Sequence, residues 1–183
     1  MLRLGVITVG AALLLGACQQ PATPVAASTS APPPGWAVNA LPDDRFVGFA
    51  QVLNDFEVRS GQLALNRSSN ELVRGYATRA VAEYSNAAQS LARNRAAAGV
   101  SFAPEQNLKS MADDAMNRLN SLQGPDFDTA FANAQLRVQT AATEQIGAYS
   151  QSGQSGPLRR YAQEQFPKSQ SFLEYAKRLA GGR

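Results

Sequence analysis

Side chains able to do chemistry are few in this chain, and their types narrow the options. Histidine is absent from all 183 residues, which removes the commonest metal ligand and the usual general base near neutral pH. Cysteine occurs once, at Cys18, so neither an internal disulfide nor a Cys-His pair can form. No Ser-x-x-Lys stands in for the missing base. Gly153-Gln154-Ser155-Gly156 lacks the Gly-x-Ser-x-Gly spacing of a nucleophile elbow and reads as a turn. No glycine-rich phosphate cradle and no other cofactor motif is present. Carboxylates remain, but glycoside cleavage needs two acids about 5 to 9.5 Å apart in a cleft, and no spacing of Glu57 and Glu83 demands that arrangement.

The surroundings of the single thiol are more specific. Met1-Leu2-Arg3 precedes an apolar run from Leu4 to Leu15, and Leu15-Gly16-Ala17-Cys18 closes it, which is the layout of a secretory signal too short to span a bilayer. Its ending resembles the lipobox of bacterial lipoproteins. The resemblance implies cleavage before Cys18, acylation of that cysteine with palmitate-type chains, and, because Gln19 rather than Asp follows, sorting to the periplasmic face of the outer membrane. The other reading is an ordinary secreted protein with an incidental cysteine. Acylation accounts better for an odd cysteine in an oxidising compartment.

Residues 18–42 continue as a tether. Six prolines (Pro21, Pro24, Pro32, Pro33, Pro34, Pro42), Ala, Ser and Thr dominate it, and it holds no charged side chain. At ~3.1 Å per residue it extends to about 70 Å at most. Trp36 lies inside it and is read as packing loosely on the edge of the domain. Over the whole chain 17 Lys and Arg oppose 14 Asp and Glu. That near balance, without a basic run or face, argues against nucleic acid as a partner.

The elements that must position any site are helices. Residues 43–180 form one domain in which every long segment carries helical periodicity, and residues 181–183 are a tail. The first helix, with Asp43 as N-cap, stripes Phe46, Phe49/Ala50, Leu53, Glu57, Ser60/Gly61 and Ala64. A capping box at Ser68-Ser69-Asn70-Glu71 opens a second helix with Val73, Ala77, Ala80, Tyr84, Ala87 and Leu91 inward, ending near Gly99. A shorter third helix opens at Pro104-Glu105, and Gly124-Pro125 ends it. The fourth begins around Asp126 and carries Phe127, Phe131, Ala134/Gln135, Val138, Ala142 and Tyr149. The fifth starts at Pro157, with an interruption and kink expected at Pro167. The fold class is therefore all-α: an up-down bundle of four long helices plus one shorter.

The order of short motifs along this domain resembles the domain of unknown function 4142 family. The matching pieces are Phe46-Val47, Asn54-x-x-Glu57, Gly61-Gln62-Leu63-Ala64, Val73-Arg74-x-Tyr76-Ala77, Phe127-Asp128, Gln135 and Phe166-Pro167. The resemblance implies a ferritin-like bundle, with exported or lipid-anchored members and no settled activity. It also implies histidines where this chain has Tyr84, Gln139 and Phe172, which with carboxylates suggest a metal constellation in the bundle. A ferritin-like site draws on inward Glu and Glu-x-x-His pairs. Here only Glu57, Glu83, Glu144 and Glu174 are on offer, so no metal is expected.

Glu57 falls on the apolar stripe of the first helix. A buried carboxylate needs partners, and the reading is a polar core network in which Glu57 bonds Tyr84 or Gln139. The other placement puts Glu57 at the edge of the stripe, facing water. Functionally the sequence points to a non-enzymatic envelope lipoprotein that binds an envelope protein or peptidoglycan. The alternative is a ferritin-like metal-binding or redox-stress protein with a degenerate site.

Overall fold

The computed structural model describes residues 39–103 and 105–181. The signal segment, Cys18, most of the tether with Trp36, and Pro104 lie outside the described residues. Five helices follow in order: α1 (Asp43–Arg67), α2 (Glu71–Ala98), α3 (Gln106–Asn120), α4 (Gly124–Ser152) and α5 (Gly156–Gly181). No strand occurs among the described residues, and no helix there is long and apolar enough to cross a membrane.

Three-residue turns fold α1 against α2 and α4 against α5 as antiparallel hairpins, the two most extensive packings in the domain. The hairpins join through α2 against α5 and through α1 against α4, with α3 laid over the α1/α4 seam. Side-chain ties fix the directions. The Tyr149 hydroxyl and the Ser155 backbone N–H both donate to Asp43, so α1 starts where α4 ends. Tyr175 donates to the Leu72 carbonyl, so α2 starts where α5 ends. The four long helices thus run up, down, down, up, and α3 is the crossover that brings the chain back before α4. One crossover of this kind is the ferritin-like connectivity.

Local signals explain most helix ends, though several differ from the sequence reading. α1 begins at Asp43 after Pro42 with no side-chain cap, because the Asp43 carboxylate serves Tyr149 and Ser155 instead. Asn70, not Ser68, caps α2: its Oδ1 accepts from Leu72 and Val73, while Ser68 Oγ accepts from the Asn70 N–H. Gly99, at φ 63°, closes α2 in the left-handed conformation that glycine adopts without Cβ strain. Glu105 caps α3 from outside by accepting from Asn107 and Leu108. Pro125 sits in the first turn of α4 rather than ahead of it, where its missing N–H costs nothing.

The expected interruption at Pro167 is absent: α5 is one helix through it. Phe166, Ser169 and Phe172 around it are buried, so core packing offsets the hydrogen bond that proline cannot make. Gly48 shows a close approach of another kind, since a Cβ there would fall 1.9 Å from the Ala103 carbonyl oxygen. The segment before α3 lies directly on α1, and Ala103 N–H donates to the Asp44 carbonyl at 3.2 Å.

Candidate functional site: a closed polar cluster in the bundle core

All four long helices face one another across a core of Phe, Leu, Ala and Tyr, and polar side chains gather at its middle. Glu57 of α1 is 0 % exposed. Tyr76 of α2 donates its hydroxyl to Glu57 Oε2 at 3.3 Å. With the Gln135 amide turned to satisfy its neighbours, Nε2 donates to Glu57 Oε1 at 2.7 Å and its oxygen accepts from Ser60 Oγ at 3.0 Å. Gln139, one turn further along α4, donates to the hydroxyls of Tyr76 at 3.2 Å and Tyr84 at 2.7 Å. Gln139 Oε1 is buried without a partner.

These residues come together by helical spacing. Glu57 and Ser60 are three apart, Gln135 and Gln139 four apart, and Tyr76 and Tyr84 flank Ala80 two turns apart, so each set lines one face of its helix. Aromatic rings close the cluster: Phe172 of α5 packs edge-on to Tyr76 at 5.3 Å and tilted to Tyr84 at 5.1 Å. Tyr84, Gln139 and Phe172, the three positions of the implied histidines, therefore do meet. The direct partners of Glu57, however, are Tyr76 and Gln135. Gln139 lies close enough to pull on the carboxyl through its amide as Tyr76 does, while its two closest hydrogen bonds go to the Tyr76 and Tyr84 hydroxyls, so Tyr84 joins one step out.

Tyr76, Ser60 and Gln135 carry roles that the sequence reading did not give them. Tyr76 and Gln135 stood in the quoted motifs, and the Tyr76-Ala80-Tyr84 repeat was the available signal for a second inward hydroxyl. The other acids do not converge. Glu83 is half-buried and paired with Lys168 at 2.9 Å, Glu144 is half-buried, and Glu174 is exposed beside Lys177 at 2.7 Å.

Burial dominates the electrostatics. It pushes the Glu57 carboxyl from 4.5 up to about 8 against the opposing pull of Gln139 and Tyr76, so the group is mostly protonated at neutral pH. Burial, then the nearby Glu57, holds the Tyr76 and Tyr84 phenols well above their ordinary value. Beside the cluster, a crevice between Tyr84, Asn54 and Lys168 has a volume of about 10 Å³, enough for one water.

The metal that a ferritin-like arrangement implies does not fit these residues. Among the described residues no three of His, Cys, Asp and Glu gather where one ion could reach them. Glu57 is the one carboxylate in the cluster, the phenols stay protonated, the amide nitrogens point at them, and Phe172 offers no ligand atom. As built, the cluster can hold a proton and specify the packing of four helices.

A family model described as a domain of unknown function (DUF4142) matches residues 26–179. The chain belongs to this family. No curated protein and no solved structure matches the chain. The DUF4142 match covers all of α1 to α4 and nearly all of α5, and it starts 17 residues ahead of Asp43.

Proposed function

We propose that this DUF4142 chain is a lipid-anchored helical bundle of the bacterial cell envelope, held through an acylated Cys18 at the periplasmic face of the outer membrane. It acts without catalysis, by binding an envelope protein or peptidoglycan with its surface. The observation that supports action without catalysis is the closure of the polar cluster around Glu57. Glu57 is fully buried, and the neighbouring crevice of about 10 Å³ admits no substrate. Leu15-Gly16-Ala17-Cys18 and the uncharged, proline-rich stretch after it support the anchor and a tether that lets the domain stand off the membrane.

Expression of the full chain and of Cys18→Ser in a Gram-negative host tests it. The wild-type protein is expected in the outer-membrane fraction, with a mass on its N-terminal peptide that reports acyl chains on Cys18, whereas Cys18→Ser keeps its leader or leaves the membrane. An unmodified Cys18, or equal partition of the two proteins, overturns the anchor. Failure of the domain to co-sediment with purified peptidoglycan, together with the absence of any cross-linked envelope protein in cells, overturns the binding role.

A further inference from the structure

A groove of about 340 Å³ faces solvent between α1 and α3. Its floor is apolar, with Phe56, Ala112 and Met116 all buried. Phe102 lines it and is 42 % exposed, one of two large apolar side chains left so open among the described residues. An exposed apolar patch inside a polar rim marks a contact surface. Four exposed charged side chains make this rim, and they follow an order. α1 and α3 run the same way, because Arg45 at the start of α1 reaches Glu105 just ahead of α3, and Arg67 at the end of α1 holds the carbonyls of Leu119 and Asn120. Along that common direction the α1 bank presents Asp55 then Arg59, whereas the α3 bank presents Lys109 then Asp113.

We infer that this face is covered by a second copy of the chain, turned about a two-fold axis that runs along the groove. Such a turn lays the α1 bank of one copy on the α3 bank of the other. The signs run in opposite order on the two banks, so acid meets base at both positions. Asp55 faces the second copy's Lys109, Arg59 faces the second copy's Asp113, and the axis repeats both contacts. Within one copy each acid pairs with the base one turn away on its own helix, an exposed contact that contributes little, so the same side chains can swing to the second copy. The two Phe102 rings come to the same end of the joined grooves, where closure shields them from water. A partner of uniform charge would meet repulsion on each bank.

In this arrangement the helices of the two copies point the same way, and both α1 starts lie on one side. Two chains held at one membrane surface can therefore pair without either turning over. The inference does not rest on that anchor, since the complementary banks belong to the folded domain alone.

Sedimentation equilibrium of the full chain in detergent micelles, kept reduced so that Cys18 forms no bridge, tests the pairing. A reversible dimer is expected. Phe102→Ser, Asp55→Lys and Lys109→Glu, all at exposed positions, are each expected to weaken it about tenfold with circular dichroism unchanged. Asp55→Lys combined with Lys109→Glu makes the α1 bank wholly basic and the α3 bank wholly acidic, and this double variant is expected to regain the wild-type association. A monomeric wild-type chain overturns the inference. So does a dimer that any of the three single substitutions leaves unchanged, because the contact then lies in the micelle or on another surface. Failure of the double variant to recover overturns it as well, since an antiparallel pair would set the two basic banks against each other.

Discussion

Replacing Glu57 with glutamine changes how the stability of the domain depends on pH, and both the sign and the size follow from its burial. The folded-state value of about 8 lies above the unfolded 4.5, so between those limits the native protein holds a proton that the unfolded chain has released. Stability must then fall as pH rises through that window, by about 1.4 kcal/mol per unit for this one group. The loss reaches about 3 kcal/mol at pH 7 and about 5 kcal/mol above pH 8, where the folded carboxyl ionises as well and the slope ends. That is a large share of the 5 to 15 kcal/mol typical of a domain.

Gln is neutral at every pH and keeps the shape of the protonated acid, so Glu57→Gln removes this slope and no other. Urea unfolding followed by circular dichroism at pH 5, 6, 7 and 8 measures the difference between the two proteins, in which every other titrating group cancels. The gap should widen with pH by about 1.4 kcal/mol per unit in favour of the glutamine variant, apart from a constant offset for the extra amide hydrogen. A gap that stays constant, or one that widens in favour of the wild type, would mean that the network stabilises a carboxylate, and the reasoning would fail.

Tyr76→Phe removes the hydroxyl that touches Glu57 and Gln139 and is expected to cost about 2 to 4 kcal/mol in chemical denaturation, since it leaves buried polar groups unpaired; a cost below 1 kcal/mol would show that this hydroxyl is not the hub. Gly48→Ala should destabilise the domain by about 1 to 3 kcal/mol even though alanine favours helix, because its Cβ would collide with the Ala103 carbonyl; a raised melting temperature would show that the 100–103 segment lifts away freely. Arg67→Ala frees the carbonyls of Leu119, Asn120 and Leu122 that its guanidinium holds at 3.1, 2.8 and 2.8 Å, with an expected loss of about 1.5 to 3 kcal/mol and faster amide exchange at the end of α3. Metal analysis of the purified chain should find no stoichiometric ion in either the wild type or Glu57→Ala, and an ion present in the first and lost in the second would restore the ferritin-like reading.

The helices were legible because the inward residues repeat at helical spacing. Every named position of the α1 and α2 stripes is buried, Glu57 included. Helix ends were less legible, because competing groups claim the same backbone sites. Asn70 outcompetes Ser68 as a cap by lying next to the first helical turn, and Asp43 is taken by partners 106 and 112 residues away, which no local pattern records. The central cluster was half legible for the same reason. Helical spacing places Glu57, Tyr84 and Gln139 inward, but the identity of the group that touches Glu57 depends on the rotation of α2 against α1, and that favours Tyr76. That α5 runs through Pro167 without a break was not legible, because its local cost is visible in the sequence while the burial of Phe166 and Phe172 beside it is tertiary.

Asp43 also has a mechanical meaning. A pull that has passed the packed Ala40 and Leu41 reaches the first helix at this residue, where the Tyr149 hydroxyl and Ser155 amide clasp its carboxylate from the opposite hairpin. Arg45, two residues on, reaches Glu105 at 3.6 Å. Load is therefore divided at once among α1, the α4/α5 hairpin and the start of α3, instead of peeling the first helix away turn by turn. The bundle is fastened at the point where a leash would tug on it.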